Sequence, residues 1–371
     1  MPESGAGIEL CRRYYWTAVR PIIERRFPGL AHSAVLLGCG SEVLGYDDGM
    51  SRDHDWGPRA QLLLAPSDKL TLGGELASEL AARLPTSFEG FPTRASRHAD
   101  GTRCLVAEWL AGEPWVAIET VEEWCTRELG VDAQRGMSVA DWLSVTSQEL
   151  LGLTAGAVYH DDLGLSALRS NLAWYPHDVW LYLLAAGWAR IGEEEHLMGR
   201  AGYAGDELGS ALIGARLVRD VMRLCFLLER RYAPYAKWLG RAFGELACAG
   251  DFNEPLWAAL RAETWQAREQ ALVTAYERLA GLQAASGLCA VSGVMATRFH
   301  GRPFSVIHLG TGFSAALLDR IEDPTVRAIA AHRPLGSIDQ ASDNTALLAD
   351  KHWRAAWRRL YAVDAASGEA D

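Results

Sequence analysis

The hydrophobic period of this chain changes near residue 139, and that change limits its architecture more than any single motif does. Up to that point, short apolar runs end in turns rich in glycine, proline and aspartate, as buried strands do. Beyond it, apolar residues recur at helical spacing through 139–151, 176–198, 206–231, 234–248, 255–285 and 314–331, with glycine and proline between the stretches. A chain of 371 residues is longer than one hydrophobic core usually organises. The expectation is an α+β protein of two domains. Residues 1–138 should form a small mixed sheet with flanking helices, and residues 139–371 a helical bundle.

Within the first third, residues 9–27 carry apolar side chains at near-helical spacing around Pro21, which predicts an amphipathic helix interrupted or restarted at the proline. Ala34–Leu37 is a short apolar run stopped by Gly38, Gly40 and Ser41, the pattern of a buried strand entering a tight turn. A second strand is expected from about Asp55 to Leu64. The glycine and aspartate cluster at 45–49 should form the loop between them. Cys104–Trp109 and Trp115–Val121 alternate well enough to predict a pair of strands joined at 111–114.

The segment that carries chemistry is GCGSEVLGYDDGMSRDHDWGPRAQLLL, residues 38–64. A strand that ends in Gly40-Ser41 and turns into a helix offers backbone N–H groups and a hydroxyl to an anion such as a triphosphate. Twelve residues on come Asp53 and Asp55. At the start of a strand, residues two apart share a face, so both carboxylates would converge on one point. With phosphate oxygens and water they would make a usual ligand set for Mg²⁺. Arg59 reads either as a phosphate or acceptor contact or as a strand-edge arginine paired to a carboxylate. Asp47 and Asp48 either shape the mouth of the site or are solvated loop residues, and His54 should point away from the two aspartates. Farther along, Arg216, Arg219, Arg223 and Arg230 line one helix face. That stripe is solvated, or, if it faces the first domain, forms a triphosphate-binding wall to which Lys237, between Tyr235 and Trp238, contributes.

Gly40-Ser41, a gap, then Asp53-x-Asp55 leading into a strand resembles the signature of the nucleotidyltransferase superfamily, which includes DNA polymerase beta and kanamycin nucleotidyltransferase. The longer string GSEVLGYDDGMSRDHDWGPR, together with 175–243 and the RPFSVIH and PLGSIDQ segments, resembles DUF4037, a group of nucleotidyltransferase-like proteins. The resemblance implies transfer of a nucleotidyl group from a nucleoside triphosphate to an unidentified small-molecule or protein acceptor. It implies that Gly40, Ser41 and neighbouring amides hold the phosphates and that Asp53 and Asp55 hold Mg²⁺. A third carboxylate on a later strand would assist; Glu119 is the first candidate, and Asp161 or Asp162 the reserve. If that acid is missing, the fold binds a nucleotide without transferring it.

Other classes fit less well. The formal net charge of −11 disfavours an extended nucleic-acid surface, and no stretch approaches the roughly 20 apolar residues of a membrane span. Residues 1–10 include Glu3 and Glu9 and lack a basic start, so no secretory signal is read there and a cytoplasmic location is expected. Seven scattered cysteines show no CxxC pattern and are expected to be reduced and mostly buried. His177, His196, His300, His308, His332 and His352 show neither HExxH nor His-x-His spacing, and there is no Gly-x-Ser-x-Gly elbow. Cys39 has no assignable histidine partner as a nucleophile.

Overall fold

Proline lacks the amide that a helix interior needs, and the N-terminal helix is built around that fact. In the computed structural model, α1 (Ala6–Tyr14) passes through a π-turn at Tyr15–Val19 into α2 (Arg20–Arg26), with Pro21 in the first turn of α2, where no intrahelical amide is required. The structure describes residues 6–52, 54–97, 103–105, 112–288, 294–307, 312–332 and 334–362. They form an α+β protein that divides into two compact units, 1–137 with 149–173, and 138–148 with 174–371.

The first unit is organised by a four-stranded mixed sheet. β1 (His32–Leu36) lies antiparallel to β2 (Ala60–Leu64), and β2 runs parallel to β3 (Val116–Thr120). β4 (Ala157–Asp161) closes the other edge, antiparallel to β1. Alternation sorts the side chains. Ala34, Leu36, Leu62 and Leu64 pack with Tyr14, Ile23 and Leu76 in one core between the sheet and α1, α2 and α3 (Pro66–Arg83). β3 ends where Thr120 and Glu123 form a reciprocal cap that starts α4 (Val121–Leu129).

Two strand expectations are corrected. The strand expected from Asp55 begins only at Ala60, because Asp55 and Gly57 have φ of +50° and +145°, outside the extended region. Among the described residues the hairpin expected between 104–109 and 115–121 is not formed. Arg103–Leu105 pairs instead with Arg94–Arg97, and Val116–Thr120 joins the main sheet beside β2, where Val116 and Ile118 face the core. Residues 106–111 lie outside the described residues.

The second unit is helical, with long helices at His177–Tyr203, Glu207–Leu228 and Trp265–Ala285. Trp188 stacks on Phe313 at 4.3 Å, and its indole N–H donates to Gln283 at 2.6 Å. Asp220, buried in this unit, is satisfied by Arg190 at 3.0 Å. Among the described residues no helix is long and apolar enough to cross a membrane.

Candidate functional site

The site at the end of β1 starts with a side chain that imitates a strand. Gln61 accepts from the Leu37 amide and donates to the Leu37 carbonyl, both at 2.9 Å, extending the β1–β2 ladder by one rung. The Gly38 amide then donates to the Gly152 carbonyl at 2.9 Å, so the chain leaves the sheet with its polar groups satisfied. Gly40 has φ of +126°, and a Cβ there would lie 2.5 Å from Arg59 Nη2 and 2.6 Å from Glu42 Oε2. Only glycine fits. The helix expected after Ser41 is replaced by a turn, in which the Ser41 carbonyl accepts from the amides of Leu44 and Tyr46 and the chain passes through Gly45 at φ +71°.

Packed beneath this turn is an ion pair. Arg59 Nη2 donates to Glu42 Oε1 at 2.5 Å and to the Cys39 carbonyl at 2.8 Å, and the guanidinium lies 5.0 Å from the Trp115 ring centre. Both residues are buried. Among the described residues, Glu42 Oε2 and Arg59 Nε have no hydrogen-bond partner. Burial pushes the Glu42 carboxyl above its ordinary value, against the opposing charge of Arg59. Burial also works against the Arg59 cation, but the negative charges around it, led by Glu42 and including Asp55, outweigh it.

The loop between β1 and β2 is fixed by further buried contacts. Asp47 Oδ2 accepts from the Gly7 amide at 2.9 Å and from Trp56 Nε1 at 3.1 Å, so it is a structural acceptor, not a solvated loop residue. Asp48 caps the turn at Met50 and Ser51. Cys11 donates to the Gly57 carbonyl, and burial pushes its thiol up to about 12. Arg52 lies over Trp56, at 4.9 Å.

The other predicted residues divide clearly. Asp55 is half-buried and close enough to Arg59 to influence it electrostatically, whereas Asp53 lies outside the described residues. Since Asp55 precedes the strand by five residues, strand alternation does not align the two carboxylates. Glu119 sits opposite Leu63, three residues into β2, and both its oxygens accept from Arg127, at 2.8 and 2.7 Å. Arg59 takes the second of its two readings, as the partner of a carboxylate. Asp161 accepts from Ser33 Oγ and from the amides of Leu165 and Ser166, which hold its carboxyl well below the usual range despite the cost of burial.

Lys237 belongs to the second unit and lies 4.9 Å from the Trp238 ring centre. The expected arginine stripe ends with its helix, since Arg230 lies beyond Leu228 with φ of +54° and sits over Trp180, and its other members are committed within that unit: Arg216 to Glu194 at 2.9 Å, Arg219 to Asp343 and Arg223 to the Asp339 carbonyl. It is neither a free solvated stripe nor a set of uncommitted cations. Glu42 and Gln61 are the site residues that sequence reasoning missed. The signal for Glu42 was a carboxylate directly after Gly-Ser, in a turn that its arginine partner reaches from 17 residues away.

Comparison with known families matches one segment. Residues 142–239 match the family model of a domain of unknown function, DUF4037. The DUF4037 segment draws on both units, since it includes β4 and the helices His177–Tyr203 and Glu207–Leu228. Gly40, Ser41, Asp53 and Asp55 lie outside it. Neither the curated proteins nor the solved structures gave a match.

Proposed function

We propose that this protein is a cytoplasmic Mg²⁺-dependent nucleotidyltransferase of nucleotidyltransferase-type fold, moving a nucleoside monophosphate from a triphosphate to a small-molecule or protein acceptor. The observation that supports the reading is the buried Arg59, which ties the Gly40-Ser41 turn to the start of β2. Arg59 bonds the Cys39 carbonyl of the Gly40-Ser41 turn and lies in the electrostatic field of Asp55. A triphosphate would lie on the turn, with Ser41 and neighbouring amides as donors. Beneath the turn, the buried Glu42–Arg59 pair would hold Gly40 and Ser41 in place for such a ligand. Asp53 and Asp55 supply the hard oxygen ligands that Mg²⁺ prefers, and the ion would neutralise charge on the phosphates.

A second reading, nucleotide binding without transfer, is favoured by the double hydrogen bond that holds Glu119 to Arg127. Calorimetric titration of nucleoside triphosphates with Mg²⁺ tests both. Saturable, Mg²⁺-dependent binding that is lost in Asp53→Ala/Asp55→Ala supports the site. Pyrophosphate release with an acceptor panel then separates transfer from binding alone, and its loss in Glu119→Gln with binding retained would make Glu119 the third acid. Absence of binding by the unaltered protein refutes the proposal.

A further inference from the structure

The opposite end of β1 carries a second constellation. His32 begins β1, and His160 and Asp162 lie at and just beyond the end of β4. One nitrogen from each imidazole and one Asp162 oxygen all lie within 4.8 Å of one another. The two rings are 4.6 Å apart, and His160 Nε2 is 2.7 Å from Asp162 Oδ2. The backbone fixes the spacing: the Asp162 amide donates to the His32 carbonyl at 3.1 Å, and the His32 amide to Asp162 Oδ2 at 3.3 Å.

Two departures from regular structure converge here. The β1–β4 register pairs Ala34 with His160 but Val35 with Val158, so Tyr159 is a bulged extra residue that breaks the alternation just before His160. The π-turn in the N-terminal helix begins at Tyr15, whose hydroxyl lies 2.9 Å from His32 Nε2. Such irregularities recur at functional sites. The hydrogen bonds also define the His32 ring. Nδ1 is 3.0 Å from the Leu30 carbonyl, which can only accept, so Nδ1 carries the proton and the Nε2 lone pair faces Tyr15. A backbone carbonyl on the distal nitrogen is the usual support of a metal-ligating histidine.

We propose that His32 Nε2, His160 Nε2 and Asp162 form a Zn²⁺ site in which water completes the tetrahedron. Two imidazoles and one carboxylate suit a borderline ion such as Zn²⁺ and not Mg²⁺ or Ca²⁺, which take oxygen ligands. Bonds of about 2.0–2.2 Å put tetrahedral ligands roughly 3.4 Å apart. Binding therefore widens the His160–Asp162 contact as the ion replaces the shared proton, and draws His32 in from its contact with Tyr15. His160 and Asp162 are part-exposed, with side chains 22% and 42% accessible, which leaves an entry path and room for water. The nearby Arg20 is neutralised by Glu24 at 2.6 Å.

The test is calorimetric titration of Zn²⁺ into the metal-free full-length protein, with Co²⁺ substitution to report ligand type. One ion per chain is expected, with a Co²⁺ spectrum free of thiolate charge transfer. Affinity should fall by at least about tenfold in both His160→Ala and Asp162→Asn. Tyr15→Phe, which removes the donor competing for His32 Nε2, should bind as tightly or more tightly. Asp53→Ala/Asp55→Ala should bind Zn²⁺ unchanged, which separates this site from the nucleotide proposal. No Zn²⁺ binding, thiolate ligation, or unaltered affinity in both ligand variants, with folding verified by thermal unfolding, would overturn it.

Discussion

Replacing Arg59 by methionine would leave Glu42 as a buried carboxylate with no counter-ion. Breaking a buried pair by removing one partner typically costs about 3–5 kcal/mol. The upper part of that range is expected here, because Glu42 already has one oxygen without a partner, and the Cys39 carbonyl loses its donor as well. Methionine keeps an apolar stem of similar length, while the guanidinium's contact with the Trp115 ring is lost together with the charge. The penalty should depend on pH in a defined sense. Burial already raises the Glu42 carboxyl in the intact protein, and removing Arg59 raises it further. A carboxyl whose folded pKa exceeds its unfolded value of about 4.3 destabilises most above the folded pKa. Arg59→Met should therefore recover relative to the unaltered protein as pH falls toward about 5, with a limiting slope of about 1.4 kcal/mol per pH unit. Peptide-level hydrogen exchange of β1 and β2 in graded urea reads this unit separately from the helical one. Arg59→Met/Glu42→Gln should regain most of the loss, because only a neutral amide is then buried. A loss below about 1 kcal/mol, a pH-independent one, or a double variant no better than the single would refute the reasoning.

Gly40→Ala should open the same pair, since its Cβ would meet Arg59 and Glu42 at 2.5 and 2.6 Å in a backbone conformation that L-residues avoid. A cost of about 1–3 kcal/mol in urea unfolding is expected, with weaker triphosphate binding if the turn holds phosphate. Thiol labelling of the native protein near pH 8 should modify the exposed Cys39 and spare Cys11 and Cys125, whose thiols burial pushes up to about 12 and about 11. Mass spectrometry of labelled peptides checks this, and labelling of Cys11 before unfolding would contradict its burial.

What was legible in the sequence were the elements whose signal is local. The apolar run at 34–37, the helical periods after 139 and the restart at Pro21 follow from a few neighbouring residues. Features set by distant partners were not legible. Val116–Thr120 alternates as a hairpin strand would, and nothing local says that it runs parallel to β2. Glycine in Trp56-Gly57 marked no turn in the expected strand from Asp55, yet its φ of +145° delays β2 to Ala60. His32 and His160 are 128 residues apart and meet only through the β1–β4 pairing, so no spacing rule could have joined them.

The candidate site is therefore best understood as a loop that the rest of its unit is arranged to hold. A connection of this length between two antiparallel strands has many conformations, and the entropy of fixing it must be offset by specific contacts. Those contacts are buried and polar: Asp47 to the Gly7 amide and Trp56, Glu42 to Arg59, Cys11 to the Gly57 carbonyl. Two of the three reach α1, and a Cβ at Gly7 would come within 2.6 Å of Glu42 Cβ, so α1 packs directly on the turn. An apolar plug would hold such a loop at lower risk, because every member of a polar network must be satisfied. Instead, charge is placed under the turn with one carboxylate oxygen left over beside Gly40. A rigid loop over a buried charge pair is the support that a preorganised site needs, and under the proposed function that support holds the Gly40-Ser41 turn in place.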